Sequence, residues 1–121
     1  SLKAQLKQEF GNEYTIEVAD NGEEALSIVE ELKKGEFDLP VVVADHIMPG
    51  IKGDELLTRI CKISPRTLNI MLTGQADATA VGNAVNNAKL YRYISKPWDV
   101  MDMNMTLNEA IKSYFQDKKI C

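Results

Sequence analysis

The stretch "VVVADHIMPGIKGDE", residues 41–55, decides how this chain reads. Three valines and an alanine make an apolar run that ends on a carboxylate, Asp45. A tight loop built on Pro49, Gly50 and Gly53 follows, the residue types that set turn geometry. Widened to "LPVVVAD", 39–45, the run predicts a strand apolar on both faces, as buried parallel strands are. After the loop, residues 53–63 predict a helix with Leu56, Leu57, Ile60 and Ile63 inward.

The same alternation extends in both directions. Leu2, Leu6 and Phe10 stand at helical spacing over 2–10, and "YTIEVAD", 14–20, alternates as a half-buried strand does. In 21–35, Asn21 is an N-cap, Glu24 stands at the capping-box position and Gly35 closes the helix. Its inward face is Ala25, Ile28, Val29 and Leu32. Downstream, "LNIMLTG" (68–74) and "LYRYISK" (90–96) predict strands. A helix over 77–88 carries Ala78, Val81, Val85 and Ala88 on one face, and Gly82 weakens it. A last helix, 99–116, turns Met103, Leu107, Ile111 and Tyr114 inward. Met101, Met103 and Met105 read as core filler. Strands alternating with helices predict an α/β fold with a parallel sheet, and no repeat or linker divides it.

The chain has 121 residues, 45% of them hydrophobic and 26% charged, so one domain with its own core is expected. A net charge of −4 and a pI near 5.0 argue against non-specific nucleic-acid binding. Cys61 and Cys121 form no CxxC or metal-ligand pattern, which fits a reducing compartment. With no apolar run of membrane-spanning length and no signal-peptide pattern, the expectation is a cytoplasmic location. His46 lacks a His or Cys nearby and reads as a loop residue on the surface.

In an open α/β sheet, ligands bind at the carboxyl ends of the strands. Asp45, Thr73 and Lys96 stand at three such ends, far apart in sequence. Asp45 is by type a nucleophile or a metal ligand, and Lys96 suits a phosphate or the carboxylate itself. Thr73 offers a hydroxyl to an incoming anion. Asp45 can attack a phosphoryl group if a divalent cation and Lys96 neutralise the developing charge. On the fold argument alone, a plain Asp–Lys ion pair that ties two loops together is an equal reading. Pro97 permits a cis bond that fixes the direction of Lys96, or it simply ends a strand. Within the loop, the backbone carbonyl of Ile47 is a candidate cation ligand.

Taken together and in order, "VVVADHIMPGIKG", "IMLTG" and "YRYISKP" make the chain resemble a response-regulator receiver domain of two-component signalling, over nearly all of 1–121. The resemblance implies a flavodoxin-like, doubly wound parallel sheet. It implies that Asp45 accepts a phosphoryl group from a histidine kinase or phosphotransfer protein, in a phosphorelay that uses Mg2+. Asp45 and the Ile47 carbonyl would be metal ligands, Thr73 the switch hydroxyl and Lys96 the phosphate partner. Tyr93 would be the switch aromatic, although its own pattern reads as a half-exposed strand residue. The output surface would be 77–88, 90–96 and the last helix. An output domain or effector outside this chain would read that surface. "LYRYISKPWD" is also similar to receivers that work with cyclic-nucleotide or phosphatase outputs.

Receivers open with a strand that ends in an acidic pair of magnesium ligands. Here the chain starts inside the match to the first helix, so five helical segments and four strands are expected, with the first strand and its acidic pair lacking. In the order 2-1-3-4-5 that strand lies between 14–20 and 39–45, and without it the two would stand about 9–10 Å apart, too far to pair. An omitted segment, a truncation, or a sheet that closes up or borrows a strand in a homodimer each account for this; without the acidic pair, magnesium has Asp45, one carbonyl and water, and weak binding is expected. The competing reading is a phosphorylation-independent receiver-like module that binds a partner protein. An enzyme is not expected: an aspartate-nucleophile phosphatase wants a second acid two residues on, where Ile47 stands.

Overall fold

Val41–Asp45 (β1), Leu68–Thr73 (β2) and Leu90–Ser95 (β3) pair in parallel in the order β1-β2-β3. The computed structural model describes residues 2–74 and 78–120, except the side chains of 78 and 118–120. The expectations for Asp77, the Ala78 side chain and Cys121 lie outside the described residues. Val41 stands opposite Leu68 and Asp45 opposite Leu72. Across the other edge of β2, Thr73 stands opposite Ser95. This is the expected α/β fold with a parallel sheet.

Among the described residues five helices cover the sheet: Leu2–Phe10 (α1), Gly22–Lys34 (α2), Gly53–Ile63 (α3), Ala78–Asn87 (α4) and Val100–Ile120 (α5). One core layer joins Val29 of α2, Leu56, Leu57 and Ile60 of α3 and Ala84 of α4 to Ala44 and Met71. The opposite layer joins Phe10 of α1 and Met103, Leu107 and Ala110 of α5 to Ile70, Leu72 and Ile94. Successive strand residues therefore feed opposite layers, the period-2 rule in three dimensions. Each fully buried leucine or isoleucine stabilises by roughly 1.5–3 kcal/mol.

Caps hold the helices where the sequence places them. The Asn21 side chain accepts from the Glu24 amide at 2.8 Å, and Glu24 accepts from the Asp20 amide at 3.3 Å. Asp99 accepts from the Asp102 amide at 3.0 Å and starts α5. Gly35 is the C-cap of α2, but the positive φ falls on Glu36.

Four expectations are corrected. Residues 14–20 form no strand: Tyr14 and Ile16 pack into the α1–α5 layer, yet the segment joins no ladder. Side-chain alternation follows burial, whereas a strand also needs a neighbour about 4.8 Å away, and β1 pairs only with β2 among the described residues. For the same reason β1 is half-buried along most of its length, while β2, at the sheet centre, is the strand buried on both faces.

The inward face of α4 is Ala80, Ala84 and Ala88, with Val85 exposed. Alanines let the helix sit close, and the bulkier valines lie at its rim. Of Met101, Met103 and Met105 only Met103 is core, because Met101 and Met105 stand two residues to either side and a helix turns them outward.

Nothing lies within 4 Å of where a Cβ on Gly82 would stand. Gly82→Ala is therefore expected to stabilise the chain by about 0.5–1 kcal/mol, measured as a higher midpoint in urea. An unchanged or lower midpoint would mean that α4 needs the glycine's backbone freedom.

Candidate functional site

Parallel pairing brings the carboxyl ends of the three strands to one edge. The ladder continues one step past β1, where the His46 amide donates to the Leu72 carbonyl at 2.9 Å. Past β3, the Lys96 amide donates to the Thr73 carbonyl at 2.7 Å. Asp45, Thr73 and Lys96 are thus neighbours across 51 residues of sequence separation.

Lys96 closes the group. Its Nζ donates to Asp45 Oδ1 at 2.8 Å and to Oδ2 at 2.7 Å. Asp45 Oδ1 also accepts from the Ile47 amide at 3.0 Å. The carboxylate is therefore oriented by two donors on one oxygen and one on the other. The side chains of Lys96 and Asp45 are 33% and 40% exposed, so a solute can reach the pair. At that exposure the ion pair adds little to stability, about 0–1 kcal/mol. Thr73 is 3% exposed at the end of β2. The Lys96–Pro97 peptide is cis.

The loop after Asp45 is anchored at several points. Met48 and Ile51 pack against the α2–α3–α4 layer, and Gly50 takes φ +77, the turn conformation glycine allows. Gly53 opens α3 against the strand end: its amide donates to the His46 carbonyl at 3.1 Å. A Cβ on Gly53 would lie 2.7 Å from the Asp45 carbonyl oxygen and from His46 Cα. The close approach of α3 to the Asp45–His46 peptide therefore requires glycine.

His46 is 7% exposed, which corrects the expectation of a surface residue. The extra ladder step draws it under α3, where Nδ1 lies 4.0 Å from Asp54 Oδ1. Sequence reasoning also passed over Asp54, which sits in the first turn of α3 and bonds to α4; only the folded contact reveals it. Ile47 is exposed beside Asp45. Tyr93 stands opposite Met71 in the register and is 52% exposed.

Among the described residues no group of three or more His, Cys, Asp or Glu is placed to hold a metal. Magnesium is commonly held by one or two carboxylates with water and substrate oxygens. An accessible Asp45 carboxylate with a neighbouring main-chain carbonyl fits that minimum. None of the described helices is long and apolar enough to cross a membrane.

The model of the response regulator receiver domain matches residues 1–108. The expectation of a lacking opening strand is not borne out by the match. The sensor kinase CckA of Brucella abortus is 34% identical over 99 residues, 82% of this chain and 10% of the kinase. The hydrogenase transcriptional regulatory protein HoxA of Cupriavidus necator is 26% identical over 108 residues, 89% of this chain and 21% of the regulator. The chain thus spans about a tenth to a fifth of these relatives. Among solved structures, the signal receiver domain of an HD domain-containing protein from Pseudomonas fluorescens has a TM-score of 0.82 at 28% identity, covering 98% of this chain and 84% of that one. An adenylate cyclase structure from Rhodopirellula baltica gives 0.82 at 29%, with the same coverage.

Proposed function

The chain belongs to the response regulator receiver domain family of two-component signalling, and from that premise we propose that Asp45 is its phosphoacceptor. The observation that carries the reading is the two-oxygen grip of Lys96 on an accessible carboxylate at the strand ends. Oδ1 accepts from both Lys96 and the Ile47 amide and Oδ2 from Lys96 alone, so Oδ2 has the less engaged lone pairs for attack. The donor is a phosphohistidine on a kinase or phosphotransfer protein. Its N–P bond breaks as the Asp45 O–P bond forms, and the electron pair returns to the imidazole. Asp45 becomes an acyl phosphate, and this chain is the acceptor in the exchange, not an enzyme acting on a separate substrate.

Lys96 then turns from the carboxylate to the phosphoryl oxygens, and Thr73 supplies a hydroxyl to them. Family members typically bind Mg2+; Asp45 and the Ile47 carbonyl would hold it here, and the ion supplies charge neutralisation when bound. Tyr93, outward in this state, turns inward as Thr73 engages. The surface of α4, β3 and α5 then changes for an output domain or effector. The chain is similar to parts of a sensor kinase, a transcriptional regulatory protein, an HD domain-containing protein and an adenylate cyclase, and the output it serves is for an output domain or effector to set.

The test is intact mass before and after incubation with magnesium and acetyl phosphate. One added phosphoryl group is expected, and none on Asp45→Asn. No addition to the parent chain would sink the phosphoacceptor reading and leave a module that binds its partner without phosphorylation.

A further inference from the structure

Asp54 is the second residue of α3, and its side chain is only 19% exposed. A partly buried carboxylate gains from partners. They come from three elements. Oδ1 accepts from the Glu55 amide at 2.9 Å, in the positive first turn of its own helix. The same oxygen lies 4.0 Å from Nδ1 of His46, the residue that follows Asp45. Oδ2 accepts from Asn83 Nδ2 of α4 at 3.3 Å.

The attachment of α4 gives this contact its weight. The helix packs through Ala80, Ala84 and Ala88, side chains with little area to bury. Asn69 ties the carboxyl end of α4 by donating to the Ala88 carbonyl at 3.2 Å. Asp54 ties its middle. One long, solvent-accessible hydrogen bond is a weak tether, which suits an element that must have two positions.

We infer that Asp54 is a positioning residue that holds α4 to α3 beside the loop carrying Asp45, so that a change of charge at Asp45 reaches α4 through His46, Asp54 and Asn83. The second half rests on the phosphoacceptor reading. The first half concerns the unmodified chain and stands apart from it. The route is physical at each step: a peptide bond from Asp45 to His46, the 4.0 Å approach of His46 to Asp54, and the hydrogen bond to Asn83.

Amide hydrogen exchange on the whole chain tests both halves. In the unmodified protein, Asn83→Ala is expected to speed exchange within 79–87 by about three- to tenfold, the range a single hydrogen bond supports. Protection of Leu68–Thr73 should not change. The swapped pair Asp54→Asn with Asn83→Asp, which exchanges donor and acceptor, should restore protection. With magnesium and acetyl phosphate, the parent chain should gain exchange in α4, and Asn83→Ala should gain no more than it already shows. Parent-like α4 exchange in Asn83→Ala would overturn the inference, as would a rise shared equally by β2, since that reports general destabilisation. A swapped pair as fast as Asn83→Ala would overturn it too. If the intact mass of the parent chain shows no phosphoryl group, the phosphoacceptor reading fails, while the unmodified comparison still decides whether Asp54 holds α4.

Discussion

Gly53→Ala is expected to destabilise the fold by about 1–3 kcal/mol, the usual cost of an atom forced into a packed site. The added methyl would stand 2.7 Å from the Asp45 carbonyl oxygen and from His46 Cα. Both are backbone atoms flanked by ladder bonds, and neither can swing aside as a side chain would. Alanine favours a helix over glycine by roughly 1 kcal/mol, but Gly53 is at the first turn and the clash outweighs that gain. Relief requires α3 to back away, breaking the Gly53–His46 hydrogen bond and moving the peptide that aims Asp45. The expected result is a thermal midpoint lower by several degrees, at about 4 °C per kcal/mol for this size, together with slower phosphoryl uptake. A midpoint equal to or above that of the parent chain would show that α3 yields freely and that the approach has no role. Gly82→Ala in α4 is the internal contrast, since the same substitution there meets open space.

Lys96→Ala separates chemistry from stability. Removing the amine takes away both hydrogen bonds from the Asp45 carboxylate and the cation that would face the phosphoryl oxygens. Loss of one positioned donor at developing charge slows a reaction by about 10²–10³, and a fall of that size is expected in the rate of phosphoryl uptake, followed by intact mass. Stability should change by less than about 1 kcal/mol, because the pair is well solvated. A rate within about twofold of the parent, with a clearly lowered melting midpoint, would reverse the assignment: Lys96 would then be a tether between loops. On the fold argument alone, that alternative is an equal reading of Asp45 and Lys96.

Much of the framework is legible in the sequence because it depends on local periodicity. The Asn21–Glu24 cap, the leucine face of α3 and the apolar run of β2 each record their environment within a dozen residues. The strand ends at Asp45, Thr73 and Lys96 are legible too, since parallel α/β topology sends all strand ends to one edge. The misread elements depend on neighbours remote in sequence. Residues 14–20 alternate correctly but meet no strand, and Met101 and Met105 are as apolar as Met103 yet face outward. His46 is polar and sits in a loop, and only one further ladder bond to Leu72 buries it.

By itself the sequence determined the five helices, the three paired strands and the three residues at the sheet edge, because residue type and spacing act over short range. Tertiary structure alone decided which strand is central, that alanines rather than valines seat α4, that Lys96 grips both oxygens of Asp45, and that Asp54 reaches Asn83. Those outcomes depend on distances between groups tens of residues apart, which exist only once the chain has closed around its two cores.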